Sequence, residues 1–337
     1  MNKKPLIIST DPGIDDAVCL TIALFAKELD VKLIVPTWGN VSLEKTLNNT
    51  LRLQAFLGTK VPVVAGAKLP LVKEAIDASE VHGASGIDGF DFPEADQSLL
   101  VEGLAATKIH EVVSQSPEKV TLMQIGPATD FALYFRQYPE DLDKIDRLYI
   151  MGGALGRGNY GPYDEYNVSG DPEAAKIVFD LGAKGLDIYV APLEVGNQAF
   201  VDAASLEEIK ALGRVGEMIY GLNSQYELND ADADSGKRIY DALTAAMLLA
   251  PDLFEAENQA LLTARAAHTG CACTVPSQCR QALGDLLLAY ERLLRETRRL
   301  VRRSDRAELE MNQLNSRLQD LAAELEHRAT HDTLTGV

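Results

Sequence analysis

The sequence predicts an α/β fold, a mostly parallel central sheet with helices on both faces, followed by a long helical, coiled-coil tail. Three observations predict it. Over the first 258 residues short β-rich runs alternate with helical patterns, the rhythm of strands joined by helical crossovers. Near residue 258 the basic composition changes: all 15 lysines lie at or before Lys237, while 11 of the 17 arginines lie at or after Arg265. From Leu283 onward apolar residues recur at heptad-like spacing, the seam of a coiled coil.

In chain order the strand candidates are LII at 6–8, VKLIV at 31–35, VPVV at 61–64, VTLMQI at 120–125, RLYIM at 147–151 and DIYV at 187–190. Ligands of such sheets sit beyond the carboxyl ends of the strands, so the polar residues after each run come first as site candidates. The α/β domain is expected over 1–258, a linker over 259–282 and the coiled coil over 283–330, with a break near Ser304, leaving 331–337 outside both. The linker gathers His268, Cys271, Cys273 and Cys279. The C-x-C-x5-C spacing fits no common zinc module, and the segment reads as a loop with free thiols.

With 337 residues and 46% hydrophobic content the chain can bury a full-sized core. A formal charge of -18 disfavours nucleic acid and anionic membranes as partners, because like charges repel and no counterions would be released. A small neutral substrate or a cation fits better. The opening MNKKPLIIST has no apolar signal-peptide region and no run of about 18 apolar residues occurs, so a cytoplasmic protein is expected. Four scattered or clustered cysteines agree with a reducing compartment.

The segment STDPGIDD places Asp11, Asp15 and Asp16 at the end of the first strand and the start of the next helix. Pro12 and Gly13 make the turn, and a helix start tolerates acidic residues. Three carboxylates together remain costly unless a cation sits among them. Oxygen donors in this number suit Ca²⁺ or Mg²⁺ rather than zinc. Such an ion lowers the pKa of a bound water, which a neighbouring carboxylate can deprotonate, so hydrolysis is the natural chemistry. A second cluster, Asn159, Glu165 and Asn167, follows the RLYIM strand. It reads as a polar loop with local turns first, and otherwise as a clamp for vicinal hydroxyls. Asp241 opens the apolar stretch DALTAAMLL and reads first as a helix cap.

TDPGIDDA at 10–17, TWGN at 37–40, VHGASGIDG at 81–89, IGPATD at 125–130, MGG at 151–153, DEYNVSGDPEAA at 164–175 and YDALTAA at 240–246 occur in one order. In these motifs the chain resembles the inosine-uridine-preferring nucleoside hydrolase family. The resemblance implies hydrolysis of the N-glycosidic bond of ribonucleosides, a bound Ca²⁺ and a homo-oligomer, dimer or tetramer. It implies calcium ligation by Asp11, Asp16, Asp241 and the carbonyl of Ile125. It makes Asp11 the general base toward a calcium-bound water, and Asp15, Asn40, Asn159, Glu165 and Asn167 the ribose-binding set. His82 falls in a loop near the base pocket. Where many members carry a histidine before the last metal aspartate, this chain has Tyr240, a weaker acid for the leaving base. Asp130 stands where asparagine is usual, and the motifs stop near Asn258. The last stretch, LEHRATHDTLTGV, resembles the coiled-coil entry to a GGDEF-type diguanylate cyclase domain.

Two other readings compete. A metal-dependent phosphohydrolase also gathers strand-end aspartates, but commonly two residues apart, whereas Asp11 and Asp15 are four apart. A coiled-coil signalling or dimerisation module with a catalytically impaired nucleoside-sensing domain is the non-enzyme alternative.

Overall fold

A computed structural model describes residues 3–225 and 237–254. The described residues belong to one compact unit, Met1–Phe254. The linker, coiled-coil and cyclase-like expectations at 259–337 lie outside the described residues. The order is β1 (Lys4–Thr10), α1 (Ile14–Phe25), β2 (Leu29–Pro36), α2 (Leu43–Leu57), a short α3 (Ser79–His82), α4 (Ala105–Gln115), β3 (Val120–Gln124), α5 (Thr129–Gln137) and β4 (Ile145–Met151). It continues with α6 (Tyr166–Gly170), α7 (Pro172–Phe179), β5 (Ile188–Ala191), α8 (Leu193–Gly196), β6 (Phe200–Val201), α9 (Ala203–Ala211), α10 (Arg214–Gln225), β7 (Lys237–Arg238) and α11 (Tyr240–Leu249).

β1 to β5 form one sheet in the order β2-β1-β3-β4-β5, and every pairing in it is parallel. β6 and β7 pair antiparallel as a separate ribbon. The expected strand at 61–64 is a correction: Val63 makes only single parallel bridges, to Ile34 and to Leu100. Pro62 has no N–H to give to a ladder, so pairing cannot propagate there.

Because side chains alternate across a strand, β1 feeds two cores. Leu6 and Ile8 pack with Cys19 and Leu20 of α1, Met218 and Leu222 of α10 and Ala245 and Leu248 of α11. Ile7 packs on the opposite face with Ile109 of α4, Phe131 and Phe135 of α5 and Val178 of α7. Helices therefore cover both faces, which is why the central strands read as continuous apolar runs. Trp38 is 1% exposed and belongs to the interior. Among the described residues no helix is long and apolar enough to cross a membrane.

β1 lies between β2 and β3, so the chain passes from β1 to β2 on one side and from β3 to β4 on the other. The connections beyond β1 and β3 run in opposite directions, which makes the carboxyl ends of β1 and β3 the topological switch point, the place where α/β sheets bind ligands.

Candidate active site

β1 ends in Thr10 and Asp11, and the turn Pro12–Gly13 reverses the chain so that α1 begins directly above the strand. Asp16 caps its own helix by accepting from the Gly13 amide at 2.9 Å. Its other oxygen accepts from the Thr10 hydroxyl at 2.6 Å and the Asp11 amide at 3.1 Å. Asn40, just past β2, donates its amide to Asp11 Oδ2 at 2.8 Å. Its carboxamide nitrogen reaches the Asp11 carbonyl and Asp16 Oδ2, each at 3.1 Å. Asn40 is thus the clasp between both aspartates.

Two glycines make room for the Asp11 carboxylate. A Cβ at Gly39 would lie 2.0 Å from Asp11 Oδ2, and one at Gly126 would lie 2.4 Å from Asp11 Oδ1. Asp11 is fully buried, and among the described residues its Oδ1 has no hydrogen-bond partner.

α11 brings in Asp241 from the other side of α1. One carboxylate oxygen each from Asp15, Asp16 and Asp241 lies within 4.8 Å of the other two. The backbone amides of Asp241 and Tyr240, at the start of α11, also face the Asp15 carboxylate. Burial raises the pKa of all four carboxyls. It lifts Asp15 to about 6 and holds Asp11 and Asp241 well above the carboxylate range, with neighbouring aspartates adding to the rise. Asp16 is raised by burial and by Asp15. Burial disfavours the charged form of each of the four, and a cation among them would offset that penalty.

The loop after β4 closes the far wall. Glu165 is the N-cap of α6, taking the amides of Asn167 at 2.9 Å and Val168 at 3.0 Å, and it also accepts from Gly153 at 2.9 Å. Burial raises its pKa despite those donors. Asn167 donates to the Ile125 carbonyl at 3.2 Å, while the Ile125 side chain is buried. Asn159 is exposed, and its side-chain oxygen accepts from the Tyr166 amide at 2.9 Å. Here it makes the local turn contact expected of the polar-loop reading.

His82 is not a surface loop residue: it is 7% exposed, and its Nδ1 accepts from the Ile14 amide at 3.2 Å. Burial lowers its pKa to about 4. With Nδ1 accepting, the neutral ring carries its proton on Nε2. Tyr240 donates its hydroxyl to Asn197 Oδ1 at 3.1 Å, and a Cβ on Gly196 would lie 2.1 Å from the Tyr240 ring.

The structure thus brings together Asp11, Asp15, Asp16, Asn40, His82 and Asp241, with Ile125, Glu165 and Asn167 on the adjoining wall. Sequence reasoning missed Thr10, Gly39 and Gly126, whose neighbourhood becomes visible only when β1, β2 and β3 stand side by side. It also missed Tyr166, whose hydroxyl donates to the Gly39 carbonyl at 3.0 Å.

The family described as inosine-uridine preferring nucleoside hydrolase matches residues 6–311. The match runs past residue 258, where the sequence motifs stop. The non-specific ribonucleoside hydrolase RihC of Klebsiella pneumoniae is 43% identical over 252 residues, 75% of this chain and 81% of that protein. RihC of Escherichia coli K12 is 43% identical over 253 residues with the same coverage. Among solved structures, a plant nucleoside hydrolase, PpNRh1, superposes with a TM-score of 0.69 at 31% identity, covering 75% of this chain and 81% of that one. The purine-preferring ribonucleoside hydrolase from Gardnerella vaginalis gives 0.70 at 26% identity, covering 75% and 82%. The diguanylate cyclase resemblance of the last residues finds no support in these likenesses.

Proposed function

The chain belongs to the inosine-uridine preferring nucleoside hydrolase family and is an N-glycosidase of ribonucleosides; we propose that it acts with a bound Ca²⁺ and with Asp11 as general base. The observation that carries the reading is the Asp11 carboxylate. It is fully buried, held at Oδ2 by the Asn40 amide and, among the described residues, without a partner at Oδ1, beside Asp15, Asp16 and Asp241. The donor set is oxygen alone, as a hard cation requires. Asp11, Asp16, Asp241 and the Ile125 carbonyl would hold the ion, with Asp15 close enough to share the charge. When bound, the ion neutralises the cluster and acidifies a water.

Asp11 accepts the proton of the attacking water at Oδ1, the oxygen free to receive it. Asp15, Asn40, Glu165 and Asn167 bind the ribose hydroxyls, and the carboxylates among them stabilise the positive charge that develops on the sugar as the base departs. His82, buried and neutral, lines the base side of the site without adding a charge to it. Tyr240 stacks on the leaving base or, on turning its hydroxyl away from Asn197 Oδ1, donates a proton to it. The substrate is a small ribonucleoside, and the likeness to RihC, a non-specific ribonucleoside hydrolase, is consistent with no single base being required. We place the reaction in the cytoplasm, in keeping with the few cysteines of the sequence, and in a homo-oligomer.

Ribose release from inosine, uridine, cytidine and adenosine, with calcium and after chelation, tests the reading. Release that chelation abolishes and calcium restores is expected. Release that persists through exhaustive chelation overturns the metal, and none from a folded sample overturns the enzyme.

A further inference from the structure

Three buried carboxylates, Asp130, Asp141 and Asp171, lie outside the proposed chemistry. Asp171 is 0% exposed. Its Oδ1 accepts from the Ala174 amide at 3.0 Å, capping α7. Its Oδ2 accepts from the Leu71 amide at 2.9 Å and from the Thr129 hydroxyl at 2.7 Å. Thr129 Oγ1 in turn accepts from the indole Nε1 of Trp38 at 3.1 Å.

The direction of this relay is fixed by chemistry. An indole N–H only donates and a carboxylate only accepts, so the residue between them must do both at one atom. A hydroxyl can, and the carboxylate holds its proton in place so that a lone pair faces the indole. Trp38 carries the backbone into Gly39 and Asn40. Its own amide donates to the Ala67 carbonyl at 3.1 Å, and Gly170 packs under its ring, where a Cβ would lie 3.0 Å from Cη2. Two residues on, Asn40 clasps Asp11 and Asp16.

We infer that Thr129 and Asp171 are positioning residues, which set Asn40 against the two catalytic-site aspartates through the indole of Trp38. The inference rests on the function proposed above for Asn40, Asp11 and Asp16. A buried relay with every polar atom satisfied has one low-energy arrangement, and Asn40 inherits it. Loss of the hydroxyl leaves the indole N–H unpaired, and Trp38 must shift to find a partner.

The test uses the full chain with calcium and the variants Thr129→Val, Thr129→Ser, Trp38→Phe and the Val–Phe double. Thr129→Val keeps the shape and removes the hydroxyl. It is expected to lower kcat/KM about 10- to 100-fold, the scale of a small misplacement of a catalytic group. Thr129→Ser restores the hydroxyl and stays within about twofold of wild type. Because both act along one relay, the double is expected to match the worse single variant rather than multiply them. Should Thr129→Val fail to fold, Trp38→Phe carries the same kinetic expectation.

Trp38 is the only tryptophan, so its emission reads the relay without catalysis. The maximum is expected to move in Thr129→Val and stay in Thr129→Ser. Wild-type kcat/KM in Thr129→Val, or multiplicative losses in the double, overturns the inference. An unmoved maximum in Thr129→Val does so as well, whether or not wild type releases ribose; absence of release in wild type refutes the proposed function separately.

Discussion

Replacing Asp130 by asparagine should stabilise the protein at neutral pH and leave it unchanged near pH 4. Asp130 opens α5 and is 2% exposed. Both its oxygens face the Ala67 amide, at 3.0 and 3.2 Å. Burial outweighs the neighbouring Thr37 side chain and that amide, both of which favour the charge, and raises the carboxyl from 3.8 to about 6. A folded pKa above the unfolded one means that the native state binds the proton more tightly. Wild type therefore has its full Asp130 contribution below about pH 4, loses it as pH rises through about 6, and keeps the deficit above that. Some two units correspond to about 3 kcal/mol at 1.36 kcal/mol per unit. Asparagine matches the shape, keeps an oxygen for the Ala67 amide and never ionises. In a domain of this size about 3 kcal/mol is worth roughly 6–12 °C in Tm. Thermal unfolding of both proteins from pH 4 to pH 8 in matched ionic strength is the assay. The difference in Tm should be near zero at pH 4, grow between pH 4 and 6, and level off above. A difference that stays flat across that range would mean that Asp130 titrates alike in the folded and unfolded chain, and burial would not be the dominant influence on it.

Two further substitutions probe the site. Gly126→Ala places a methyl 2.4 Å from Asp11 Oδ1, so the carboxylate must move. Turnover should fall at least about 100-fold, with a stability loss of about 1–3 kcal/mol, read by ribose release and urea unfolding; retained turnover would show that Asp11 Oδ1 is not the proton acceptor. Tyr240→Phe removes the hydroxyl held by Asn197. If Tyr240 protonates the leaving base, kcat on inosine should drop about 10²-fold, while a riboside with a stable phenolate leaving group should be cleaved at the wild-type rate. Equal losses on both substrates would assign Tyr240 to binding.

The fold and much of the site were legible along the chain because their signals are local. Apolar runs at 6–8, 31–35, 120–125, 147–151 and 187–190 became β1 to β5, since a strand buried on both faces needs uninterrupted apolar residues. TDPGIDDA could be read as strand, turn and acidic helix start because turn chemistry and helix dipole act within a few residues. The run at 61–64 looked the same in composition, yet Pro62 limits it to single bridges.

What the sequence determined by itself was therefore the class of fold, the position of the acidic turn at a strand end, and, through its ordered motifs, the family. Tertiary structure decided which carboxylates share one space. Asp241 lies 225 residues beyond Asp16, and only the packing of α11 against α1 sets their oxygens within 4.8 Å of each other. It also decided that His82 is buried and neutral, that Gly39 and Gly126 make room for Asp11, and that Trp38 reaches Asp171 through Thr129. Burial and hydrogen-bond partnership belong to pairs of segments rather than to either one, and a charge's pKa follows from both.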